Sequence, residues 1–251
     1  MKNENLYLYI LRIADNSLIL GQRLGELCGH GPSLETDIAL TNISLDLLGQ
    51  VRSYYQYAAK IAGDGRTEDD IAMLRQEREY LNVLLVEQPN TDFGYTMAKQ
   101  FLFDVYHLLF LKELQKSKDF TLSAIAAKSI KEVSYHQRFS SDWIKRLGDG
   151  TEESHKRIQK AIDDFWTYTD ELFHLTEVEN AMIGEGIGVD VIKLKEEYYK
   201  KVSEVLQEAT LEIPETKYFQ KGGKQGIHTE HMGYLLAELQ YMQRAYPDME
   251  W

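Results

Sequence analysis

Three shortages limit what this chain of 251 residues can be. It has one cysteine, Cys28, so no disulfide can form within it, which fits a reducing compartment. It has four prolines, all near segment boundaries, and none between Pro89 and Pro214. That gap leaves room for long uninterrupted helices. It also has no excess of basic charge: 28 lysines and arginines stand against 40 acidic residues, a net charge of −12. Nucleic-acid binders carry a basic face, so that class is set aside. No stretch approaches the roughly 18 apolar residues a membrane span needs. The opening MKNENLYLYILRIADN does not read as a signal peptide. The expectation is a cytoplasmic protein.

Apolar residues recur in steps of three and four, so the expected fold class is all-α. Helices are predicted near 5–28, 33–62, 67–86, 92–117, 120–147, 152–174, 190–210 and 229–245, in a single domain covering 1–251. Ser33, Thr67 and Thr151, each followed by acidic residues, are the expected helix starts. Glycines near 63–65, 148–150 and 184–188 are expected turns. The segment 212–228, EIPETKYFQKGGKQGIH, is the one long irregular stretch. A loop of that length is uncommon unless it binds something or packs on a partner.

Three polar residues interrupt otherwise apolar seams. Gln50 breaks the seam Leu40, Ile43, Leu47, Tyr54, Tyr57, Ile61. Asp104 breaks Gly94, Met97, Phe101, Leu108, Leu111. His136 lies in Leu122, Ala126, Ser129, Val133, Ser140, Trp143, Leu147. Polar groups facing into a helical bundle are how such bundles build metal sites. Carboxylate-bridged di-iron proteins use Glu-x-x-His from each of two helices and a carboxylate from each of two others. Here the matching pairs read Leu47-x-x-Gln50 and Val133-x-x-His136, so both glutamates are replaced by aliphatic residues. Asp104 remains as one carboxylate. Glu26, at the edge of the first helix's seam, is a weaker second. Two ferrous ions bring four positive charges against two negative ones. Leaving the remainder in a dry core costs several kcal/mol per ion. A working di-iron centre is therefore not expected, and a hydrogen-bonded core role for Gln50, Asp104 and His136 is the plainer reading.

Other motifs carry less. Asp104-x-x-His107 has ligand spacing with no second pair in register. His228-x-x-His231 lacks the His-Glu-x-x-His order of zinc proteases. GGK at 222–224 fails as a phosphate loop because Gln225 follows it. Lys221 and Lys224 are retained as a possible anion-binding loop, for a ligand such as coenzyme A, with a flexible surface loop preferred.

The stretches RLGELCGH, DIALTNISLDLLGQ, EYLNVLLVEQPN, KEVSYHQRF, GGKQGIHTEH and LLAELQYMQR together resemble the structural C-subunit family (PaaC type) of bacterial phenylacetyl-CoA epoxidases. The resemblance covers nearly the whole chain. It implies a ferritin-like bundle with additional helices, in which Leu47, Gln50, Val133 and His136 occupy former ligand positions. It implies a partner, the catalytic A subunit, whose equivalent segments keep intact Glu-x-x-His pairs, along with other subunits of the complex. The iron pair would sit in that partner. A separate reductase would supply electrons through a flavin and an iron–sulfur cluster, leaving this chain with no cofactor and no catalytic residue. The complex would epoxidise the ring of phenylacetyl-CoA with O2 and NADPH. For the chain alone, a homodimer is an option. The alternative is a ferritin-like protein with its own metal-dependent oxidase activity.

Overall fold

The computed structural model describes residues 2–247 and Met249, and among these it contains helices and turns but no strand. The all-α expectation holds. The helices are α1 (Lys2–Gly25), α2 (Leu34–Ala62), α3 (Glu68–Met73), α4 (Leu84–Glu87), α5 (Phe93–Leu114), α6 (Phe120–Gly148), α7 (Glu152–Trp166), α8 (Glu177–Gly184), α9 (Lys195–Glu208), α10 (Glu230–Leu239) and α11 (Tyr241–Ala245). None of the described helices is long and apolar enough to cross a membrane. Contacts group the chain into two compact units: residues up to Gln88 with those from Gly222 onward, and Pro89–Lys221.

In the first unit α1 packs along α2. Ser33 starts α2 as expected, its hydroxyl accepting the Thr36 N–H. Gly63 ends it in the left-handed conformation, donating to the Ala59 carbonyl. Leu40, Ile43, Leu47, Gln50 and Tyr54 are buried, so the predicted seam is real.

The helix expected over 67–86 does not form. Only α3 and α4 are α-helical there, with one 3-10 turn at Glu77–Glu79 between them. The backbone hydrogen bonds of the gap go to α1 instead. Asp15 accepts from the Leu81 N–H at 2.7 Å and Asn16 from the Val83 N–H at 2.8 Å. Long-range acceptors have replaced the carbonyls that a helix would have offered.

The stretch 222–226 is also no flexible surface loop. A Cβ on Gly223 would lie 2.1 Å from the Asn82 carbonyl oxygen. Gly226 has φ +73, and a Cβ there would lie 2.2 Å from the Arg78 oxygen. Both glycines are needed for backbone to press on backbone. The expected helix over 229–245 is interrupted at Gln240, whose amide donates to the Tyr80 hydroxyl and the Arg75 carbonyl.

The second unit is built around α5. A single buried seam is too narrow a reading of this helix: most of its residues are buried, Lys99, Gln100 and His107 among them. A helix buried on nearly all sides is the central one of its unit. Asp92 and Asp119 cap α5 and α6, each accepting an N–H three residues on. The helix expected over 152–174 stops at Trp166. There the Thr169 hydroxyl donates to the Trp166 carbonyl at 2.8 Å, and a 3-10 turn follows over Asp170–Phe173. The helix expected over 190–210 begins as a 3-10 turn, Val191–Leu194, before α9. α8 is an addition to the expected elements; Thr176 and Glu179 cap it reciprocally.

Candidate functional site

In the second unit, α5 and α6 place Asp104, His107, His136 and Ser140 in one buried cluster. Positions 100, 104 and 107 share a face of α5, and 133, 136 and 140 share a face of α6. Asp104 and His136 are wholly inaccessible to solvent. The Gln100 amide donates to Asp104 Oδ1 at 2.7 Å, and Ser140 Oγ lies 2.8 Å from Oδ2. Burial pushes the Asp104 carboxyl well above the usual range, against the smaller opposing effect of these two contacts. Ser140 also reaches the His136 carbonyl at 3.0 Å. Ser140 Oγ donates to Oδ2 when the carboxyl is ionised; when it is protonated, its O–H donates to Ser140, whose own hydroxyl is then free for that carbonyl. Burial pushes His107 down to about 3, and neighbouring His136 pushes the same way. Its Nδ1 has no hydrogen-bond partner. At neutral pH His107 is thus uncharged, and burial biases Asp104 toward its protonated form.

The other expected site residues divide plainly. Val133, one turn before His136, is fully buried and offers no donor atom. In the first unit Leu47 is equally buried and apolar, and Gln50 is buried on the same face of α2. Glu26 lies just beyond the end of α1, half-buried, in a two-pronged contact with Arg23 at 3.0 and 3.1 Å. Lys221 is exposed, but Lys224 is only 6 % exposed within its pinned turn. Lys224 is therefore not part of an exposed cationic surface, and the anion-loop expectation is corrected for it.

These residues do not fit a pair of irons. Leu47 and Val133 are hydrocarbon and offer no ligand atom, and burial favours the protonated form of Asp104. Among the described residues no three His, Cys, Asp or Glu side chains are grouped to hold a metal ion.

Two buried polar networks in the first unit escape sequence reasoning. Arg75 forms a two-pronged pair with Asp15, at 2.6 and 3.0 Å, and stacks 4.1 Å over the Tyr80 ring. Tyr55 donates to the same carboxylate. The second network centres on Glu87, whose side chain is fully buried. It accepts from the Thr229 N–H and hydroxyl at 2.6 and 2.7 Å and from Asn82 at 2.9 Å. His228 Nδ1 lies 2.7 Å from it, and Nε2 lies 2.9 Å from the Tyr80 carbonyl. Both ring nitrogens face acceptors. The bonds to Glu87 and Tyr80, with the Glu87 charge, raise the His228 pKa against the opposing effect of burial. His228 is thus an internal clamp with neither nitrogen free for a metal. Asp15 was discoverable: it stands among Leu8, Leu11, Leu18 and Ile19 on one face of α1.

Residues 1–251 match the family model described as phenylacetic acid catabolic protein. The chain belongs to that family. It is 49% identical over 248 residues to the C subunit of the 1,2-phenylacetyl-CoA epoxidase of Escherichia coli (strain K12), covering 99% of this chain and 100% of that protein. The resemblance read from the sequence is thereby established, and with it the ferritin-like class and a place in phenylacetic acid catabolism.

Proposed function

We propose that this chain, acting over 1–251 as one ferritin-like domain in the cytoplasm, is a non-catalytic structural subunit of a ring-epoxidising monooxygenase that acts on phenylacetyl-CoA. The observation that carries the reading is the full burial of Leu47 and Val133 where a di-iron protein needs glutamates. The raised pKa of the buried Asp104 carboxyl supports it, because a buried site short of negative charge does not offset the cost of desolvating metal cations. The near full-length likeness to the C subunit of an epoxidase supplies the reaction. On this reading the iron pair belongs to the catalytic A subunit, and the flavin and iron–sulfur cluster belong to a reductase. The chain's own long helices hold that partner's ligand helices in position.

The test is co-expression with the catalytic subunit, with metal analysis of each purified species. The expected result is a stable complex whose iron stays with the partner, and an isolated chain with far less than one iron. An isolated chain carrying close to two irons and turning over substrate would overturn the reading. So would a failure of the two subunits to co-purify.

A further inference from the structure

Helix α2 carries a second apolar stripe beside the flank that meets α1, where Leu48 lies next to Gly21. Leu34, Ile38, Leu45 and Leu48 are 71, 51, 60 and 39% exposed. With Thr41 between them and Arg52 after them, positions 34, 38, 41, 45, 48 and 52 alternate steps of four and three. That is the spacing of the two core positions in a heptad seam. The buried seam of α2 is centred on the opposite side, and of the stripe only Leu48 leans toward α1. Single exposed aliphatic residues need no explanation, whereas a contiguous row along one helix marks a contact surface.

The charges bordering the stripe indicate the occupant. Glu35 is exposed at its N-terminal end. Arg52 stands at its C-terminal end with its side chain 74% exposed, 3.6 Å from Glu68. Asn42 and Gly49, also exposed, border the row between them without charge, and the half-buried Asp46 lies on the same flank. A stripe with acid at one end and base at the other is complementary to its own reverse. Laid antiparallel on a second α2, Ile38 faces Leu48 of the copy, Thr41 faces Leu45, and Leu34 faces Arg52. Each Glu35 then comes within reach of the opposite Arg52, once at each end, and the helix dipoles oppose. A parallel arrangement would stack like charges at both ends. We propose that the α2 stripe docks a second copy of this chain in an antiparallel, two-fold symmetric pair, an interface that uses the same patch twice. The seam from 34 to 52 is about 27 Å long at 1.5 Å per residue. A single helix pair buries less than the roughly 2,000 Å² of an obligate dimer, so association depends on concentration. This inference does not rest on the proposed function.

Sedimentation velocity of the full chain across a wide concentration series tests it. The expected result is a monomer–dimer equilibrium whose midpoint moves roughly tenfold or more to higher concentration in Leu45→Glu, the change ~1.4 kcal/mol produces. Leu45 is exposed, so the variant keeps its melting temperature. The charge exchange is the sharper arm. Glu35→Arg and Arg52→Glu each weaken the dimer, and the double variant recovers it. A chain monomeric throughout, a dimer indifferent to Leu45→Glu, or a double variant no better than either single one overturns the proposal. So does a Leu45→Glu variant that still dimerises but no longer holds a catalytic subunit, since the face would then belong to that other protein.

Discussion

Replacing Asp104 separates a neutral buried acid from a charged ligand. In Asp104→Asn the new amide can donate to Ser140, as the protonated acid does, while its oxygen keeps the Gln100 contact at 2.7 Å. The exchange should cost less than about 1 kcal/mol at neutral pH, the scale of one hydrogen bond. Asp104→Ala strands both Gln100 and Ser140 and leaves a void. At about 1–3 kcal/mol for each buried group left unsatisfied, a loss of about 3 kcal/mol is expected. Acidity supplies a second axis. Burial raises the folded carboxyl above its unfolded value of about 3.9. The wild-type native state therefore retains a proton that the unfolded chain has released, and its stability falls as pH rises through that window. The asparagine variant lacks this slope. Its stability relative to wild type should improve from pH 4 upward. Urea titrations at several pH values measure both effects. If Asn costs as much as Ala at pH 7, or if the gap closes as pH falls, Asp104 is an ionised carboxylate held by a cation and the charge-free reading fails.

Three further outcomes are expected. His228→Ala removes the histidine partner of a fully buried Glu87 and should cost about 3 kcal/mol, the lower end for a broken buried pair because Thr229 and Asn82 remain. Since the folded His228 pKa is raised, wild-type stability from this pair is full below about pH 6.5 and fades as pH rises through the folded value. The variant should lose that pH slope in denaturant titrations. Val133→Glu places an acid at a fully buried position and should lower stability by several kcal/mol, measured by thermal melting. Gly226→Ala meets both a positive φ and the Arg78 carbonyl, so its melting temperature should fall by several degrees; an unchanged value would mean that the turn is not pinned.

What the sequence disclosed depended on whether the deciding partners were local. The starts of α2, α3 and α7 were legible because Ser33, Thr67 and Thr151 act within three residues. The same rule written Thr176-x-x-Glu179 announces α8, yet the glycines that follow drew attention to a turn. The segment between α3 and α4 was illegible for the opposite reason. Its hydrogen-bond acceptors, Asp15 and Asn16, stand more than sixty positions earlier. Of the candidate site, the apolar character of Leu47 and Val133 was readable letter by letter. The approach of His107 to His136 was not, because the two lie on different helices and nothing local links them.

The Glu87 clamp joins residues that lie 141 positions apart. During synthesis, the second unit's span of 89–221 is finished while that acid still waits for His228 and Thr229. A chain halted before residue 228 would therefore lack both the imidazole and the threonine that meet this acid. Prematurely ended products should be left conspicuous to proteases, a built-in check that translation ran far enough.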